Sequence, residues 1–88
     1  MAVKLVGSEP TPNKFTCHSD IDDRTYVVVN FEGIITVRWL PFQAATGIYV
    51  CRWNRTIGTV RSQGVSFRPH IIAAMDEVVL FAILRFGV

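Results

Sequence analysis

The chain has little charge, few cysteines and no long apolar run. Only 18% of its 88 residues are charged, against about 25% in an ordinary globular domain. Its two cysteines, Cys17 and Cys51, are too few for a disulfide scaffold. The longest uncharged apolar run, residues 78–84, has seven residues, whereas a membrane helix needs about 20. We therefore expect neither a disulfide-rich domain nor a membrane-spanning segment.

Motifs for catalysis and metal binding are also missing. No serine or cysteine lies in a recognisable nucleophile motif, and no Cys-x2-Cys or His-x3-His pair indicates zinc. Asp20, Asp22 and Asp23 begin like a calcium loop but lack its glycine and distal glutamate. We expect no enzymatic activity, no cofactor, no metal and no small-molecule substrate.

The first residues do not form a signal peptide, because Lys4 interrupts a short apolar stretch. The expected location is the cytoplasm of the host cell, or the virion if the protein is viral, and not the secretory pathway.

Carboxylates are absent from the middle of the chain. Residues 1–32 hold three cations and five carboxylates, a net charge of −2, whereas residues 33–75 hold five arginines and no acid. Arginine without lysine is favoured in protein interfaces, because its planar guanidinium forms paired hydrogen bonds and is weakly hydrated. These arginines are the candidate partner-binding residues: Arg38, Arg52, Arg55, Arg61 and Arg68.

Apolar residues make up half of the chain. A single domain of this size hides only about 60–65% of the surface that its unfolded chain exposes. A monomer would therefore leave apolar surface uncovered, and a second copy or another protein would be needed to cover it.

The centre of the chain predicts a β-hairpin, with strands at residues 26–30 and 34–39. A three-residue loop closed by Gly33 would pair Val29 with Ile35 on an apolar face. A two-residue Glu32-Gly33 turn would instead pair Val29 with Thr36. Because the first register keeps apolar residues together, we expect the three-residue loop.

The remaining chain predicts further short strands, a loop over residues 42–47 and one short helix that starts at Pro69. Alternation in residues 47–53 would place Arg52 on one face of its strand and Tyr49 on the other. Residues 77–86 are apolar on both faces and rich in β-branched and aromatic side chains, which favours a central or interface strand. The other predicted strands span residues 2–6, 14–18, 56–61 and 65–68.

The pattern predicts an all-β fold: a small barrel or sandwich of six to seven short antiparallel strands, with one short helix near residues 69–76. Residues 1–13 would form an N-terminal arm with a proline-containing connector, and residues 14–88 a single β-rich domain.

The leading functional hypothesis is a non-enzymatic structural module that forms homo-oligomers or docks on a larger assembly. Small virus-particle proteins, such as capsid decoration or connector subunits, have this profile, although that is an architectural analogy only. The candidate residues for the hydrophobic interface or core are Val79, Phe81, Ile83 and Phe86.

The alternative hypothesis is an oligonucleotide-binding barrel in which the same five arginines contact phosphates. It requires aromatic rings on the arginine face, so it depends on whether Trp39 and Trp53 face solvent or the core.

Overall fold

The computed structural model of the protein describes residues 2–7, 11–41, 47–63 and 68–88. Consecutive strands pair in antiparallel fashion, so the sheet follows the order of the chain. The elements are β1 (Val3–Leu5), β2 (Lys14–Ser19), β3 (Arg24–Phe31), β4 (Ile34–Trp39), β5 (Ile48–Asn54), β6 (Gly58–Arg61) and α1 (Pro69–Phe86).

The prediction of a mostly antiparallel β structure with six strands is confirmed. Among the described residues, the sheet does not close into a barrel, and β1 and β6 lie at its two edges. The predicted loop over residues 42–47 and the predicted strand over residues 65–68 fall mostly outside the described part of the chain.

The predicted register of the central hairpin is wrong by one residue. Phe31 pairs with Ile34 across a two-residue turn, in which Glu32 and Gly33 have φ angles of 52° and 82°. Gly33 N–H also donates to Asn30 Oδ1 at 3.0 Å. Holding Glu32 in the left-handed region costs about 1 kcal/mol.

Burial of a larger side chain explains this register. The observed pairing turns Tyr26 and Val28 towards the core, where the predicted pairing would have put Val27 and Val29. Tyr26 is fully buried, and its hydroxyl donates to the carboxylate of Asp22. A one-residue shift reverses both faces of a strand, so β3 presents its valines at positions 27 and 29 to the opposite side of the sheet.

The C-terminal segment is a helix and not the predicted strand. The helix continues from Pro69 through residues 77–86 and ends at Gly87, whose N–H donates to the Ile83 carbonyl at 3.0 Å. Its buried residues recur at helical spacing: Ile71, Ala74, Met75, Val78, Val79 and Ala82. Strand propensity is a weak guide where tertiary burial and an uninterrupted helical spacing act together.

One face of the sheet packs against α1 and forms the core. The helix contacts β1, β2 and β4. Phe15 on β2 lies against Phe81 and Phe86, with ring centroids 5.4 Å and 5.3 Å apart. The Ala2 backbone N–H donates to Glu77 Oε1 at 2.6 Å, which joins the start of the chain to the helix.

A β-bulge changes the alternation of β5. Val37 pairs with Cys51 but Arg38 pairs with Tyr49, so Val50 is the extra residue. Both Val50 and Cys51 are buried. Because a bulge adds one residue to one strand, Tyr49 and Arg52 lie on the same face, contrary to the prediction.

Candidate interaction surface

The sheet face opposite α1 carries side chains that alternate with those of the core. We call it the open face. It is composed of Lys4, Lys14, Thr16, His18, Thr25, Val27, Val29, Phe31, Ile34, Thr36, Arg38, Tyr49, Arg52, Asn54 and Val60.

Several apolar side chains of the open face are accessible. Val29, Ile34 and Val60 are exposed, and Phe31 at the turn end keeps 68% of its surface exposed. Val27, which pairs with Thr16 and Arg38, is half-buried. No described helix or strand covers these side chains, so among the described elements the sheet is packed on one side only.

The charge on the open face has a single sign. Lys4, Lys14, Arg38 and Arg52 are all exposed, and no open-face position of the six described strands holds a carboxylate. Within the described chain, none of the nine lysines and arginines except Lys4 forms an ion pair with a carboxylate. The face therefore presents cations beside exposed apolar side chains: Lys14 pairs with Val29, and Arg52 pairs with Val60.

Two of the five candidate arginines meet at an aromatic ring. The guanidinium carbons of Arg38 and Arg52 lie 6.0 Å and 5.9 Å from the ring centroid of Tyr49. Both distances allow a cation–π contact. The bulge in β5 produces this arrangement, since regular alternation would have placed Tyr49 away from Arg52.

The structure separates the other three candidate arginines from this cluster. Arg61 pairs with the buried Cys51 and so lies on the helix side of the sheet. Arg68 is the exposed N-cap residue of α1. Arg55 lies in the β5–β6 turn, beside a cleft of about 570 Å³ that Trp53, Ile57 and Val88 also line.

The two tryptophans lie on the helix side and pack against the core. Arg24 stacks over Trp39, with its guanidinium carbon 3.9 Å from the ring centroid. Neither indole is on the open face, so the aromatic rings there are Phe31 and Tyr49.

The four candidate hydrophobic residues belong to α1. Val79 is buried against the sheet, and Phe81, Ile83 and Phe86 are partly buried at the sides of the helix. They occupy the core side of the molecule, away from the open face.

An acidic turn joins β2 to β3 at one end of the sheet. Asp20 and Asp23 lie 3.8 Å and 3.0 Å from His18 Nε2, and Asp20 also lies 3.7 Å from Lys4 Nζ. Their side chains remain 54% and 93% exposed. Asp22 turns inward, where it accepts hydrogen bonds from the Tyr26 hydroxyl and the Arg24 backbone N–H.

The buried titratable groups are held in their neutral forms. Burial raises the pKa of Cys17 to about 12, with a further contribution from Asp22. Burial also raises the pKa of Cys51 to about 12, and it raises the pKa of Tyr26, together with the hydrogen bond to Asp22. Protonated, inaccessible thiols are poor nucleophiles and poor metal ligands.

Within the described ranges, no three His, Cys, Asp or Glu side chains are grouped as metal ligands would be. The same residues include no helix that is both long and apolar enough to span a membrane.

The comparisons are negative. No protein-family model, curated protein or solved structure matches this chain.

Sequence reasoning identified Arg38 and Arg52 but missed the apolar residues around them. The predicted hairpin register, which is shifted by one residue from the observed one, places Val27 and Val29 in the core. The size of Tyr26 is the signal in the sequence that could have identified these valines. Tyr26 is the largest side chain in the strand, and its burial turns Val27 and Val29 to the open face.

Proposed function

We propose that the protein is a non-enzymatic assembly module that associates with other protein subunits through the open face. The observation that carries this proposal is a set of exposed apolar side chains on the side of the sheet that no described element covers. A partner layer on this face would convert the single sheet into a sandwich, which is the architecture that the composition of the chain favours. A small virus-particle subunit is one setting in which such modules occur.

The size of the face is informative about affinity. Six strands spaced by about 4.8 Å and about 20 Å long give an area of about 500 Å². Stable interfaces bury about 800 Å² on each partner. A single contact through the open face is therefore expected to be weak, in the micromolar range, and to gain strength where several subunits engage together.

Sedimentation equilibrium over about 1 µM to 1 mM protein tests the proposal. The wild type should associate, and Val29→Glu, which replaces an exposed apolar side chain of the open face by a carboxylate, should remain monomeric. Leu84→Glu is the matched control, because Leu84 is 69% exposed on the outer side of α1. Association that survives Val29→Glu but is lost in Leu84→Glu would assign the interface to the helix and contradict the proposal.

A second candidate function, binding of single-stranded nucleic acid, is favoured by the cluster of Arg38, Tyr49 and Arg52. A base could stack on the Tyr49 ring while the two guanidinium groups and Lys14 contact phosphates. With three phosphate contacts, the plot of log affinity against log salt should have a slope of about −2. Fluorescence anisotropy with labelled oligothymidine tests this function, and Tyr49→Ala should weaken binding if stacking contributes.

A further inference from the structure

The sign of the charge on the open face restricts which partner can cover it. Two copies stacked face to face would bring Arg38, Arg52 and Lys14 of one copy against the same cations of the other. Within the described strands no carboxylate on this face could neutralise them. Like charges placed opposite one another disfavour such a symmetric contact. The occupant of the open face must therefore supply carboxylates.

The acidic turn between β2 and β3 has the required chemistry. Asp20 and Asp23 are mostly exposed, and Ile21 between them is an exposed apolar side chain. Their contacts to Lys4 and His18 lie at the surface, where ion pairs contribute little. The carboxylates can thus exchange these contacts for guanidinium groups without leaving a buried charge unpaired.

We propose that the acidic turn of one copy docks on the open face of a second copy. Asp20 and Asp23 would pair with Arg38 and Arg52, and Ile21 would contact the exposed side chain of Val29. This inference rests on the proposed assembly function and specifies its partner. Because the two surfaces differ, the contact can repeat head to tail, and repetition yields a ring if it closes or a filament if it does not.

Two charge variants separate the two halves of the contact. The face variant is Arg38→Glu with Arg52→Glu, which changes the net charge from +2 to −2. The turn variant is Asp20→Asn with Asp23→Asn, which changes the net charge from +2 to +4. Asparagine is used at position 23 because Asp23 has a φ angle of +55°, a conformation that asparagine tolerates. Asp22 is left unchanged because it accepts the Tyr26 hydroxyl hydrogen bond.

Each variant has a control of the same net charge with the changes away from the contact. Arg55→Glu with Arg68→Glu gives −2 and alters only residues off the open face. Glu32→Gln with Asp76→Asn gives +4 and leaves the acidic turn intact. Thermal denaturation of all four variants establishes that each is folded before association is measured.

Sedimentation velocity should show that the face and turn variants each associate at least about 100-fold more weakly than the wild type, the loss expected for two charge pairs. Both control variants should associate like the wild type. An equimolar mixture of the face and turn variants should form a 1:1 heterodimer and nothing larger. In that mixture the turn of the face variant is intact and the face of the turn variant is intact, so only one productive contact remains.

Other outcomes overturn the inference in distinguishable ways. If the wild type associates and the face variant or the turn variant associates equally well, the proposed contact is wrong while self-association stands. The same conclusion follows if the wild type associates but the mixture of the face and turn variants stays monomeric. A wild type that is monomeric up to about 1 mM refutes self-association itself. If such a monomer binds oligothymidine and the face variant does not, the open face is a nucleic-acid surface.

Discussion

Replacing Phe15 by leucine tests whether the C-terminal segment packs on the sheet as a helix. Phe15 is 2% exposed, and its ring lies 5.4 Å from Phe81 and 5.3 Å from Phe86. Leucine keeps most of the apolar volume but removes both ring pairs, each worth about 0.5–1.5 kcal/mol. The free energy of unfolding should therefore fall by about 1–3 kcal/mol.

Urea denaturation at low micromolar concentration measures this loss as a shift in midpoint at constant m-value. A loss of about 2 kcal/mol also corresponds to a decrease in Tm of about 8–16 °C for a domain of this size. Phe31→Leu is the matched control and should change the free energy by less than about 0.5 kcal/mol, because Phe31 is mostly exposed.

A double-mutant cycle with Phe81→Leu sharpens the test, since residues in contact show coupling of about 0.5 kcal/mol or more. The reasoning is refuted if Phe15→Leu costs no more than Phe31→Leu, or if the Phe15 and Phe81 substitutions are additive. Either result would mean that residues 77–86 do not pack over Phe15.

Two further predictions concern stability. Gly87→Ala should destabilise the protein by about 1 kcal/mol because Gly87 ends α1 at φ +72°. Gly87→Asn should destabilise it less. Equal denaturation midpoints for the wild type and both variants would contradict the assigned helix end. Stability should be unaffected by Cys17 and Cys51 below about pH 9 and should fall as the pH rises from 9 towards 12, because the unfolded thiols ionise while the folded ones stay protonated. In that window each thiol lowers the free energy of unfolding by up to about 1.4 kcal/mol per pH unit. Urea denaturation of the Cys17→Ala and Cys51→Ala variants measures this loss, and a pH profile unchanged from that of the wild type would contradict the prediction.

Local patterns in the sequence were sufficient to predict most of the strands. The predicted bounds of β4, residues 34–39, match the structure; β2 ends one residue later than predicted, and β5 begins and ends one residue later than predicted. These segments alternate clearly or end at glycine and proline. The charge pattern also identifies Arg38 and Arg52 as candidate partner-binding residues.

The errors arose where tertiary packing decides between local alternatives. The hairpin register depends on whether Tyr26 or Val27 is buried, and the pairing preferences of the hairpin alone favour the wrong choice. Residues 77–86 are apolar on every side, so their composition fits both a buried strand and a helix. The bulge at Val50 has no signature in the sequence, yet it places Tyr49 beside Arg52. The hairpin register determines which apolar side chains lie on the open face, so the composition of the chain could not predict them.

The most direct test of the central claim is hydroxyl-radical footprinting of the aromatic side chains as protein concentration rises. Phe31 and Tyr49 lie on the open face, whereas Phe15 and Tyr26 are buried beneath α1. We predict that Phe31 and Tyr49 are modified rapidly in dilute protein and become protected at concentrations where subunits associate, while Phe15 and Tyr26 stay protected throughout. Modification of Phe31 and Tyr49 that remains equally rapid in the associated protein would show that the open face is not the interface.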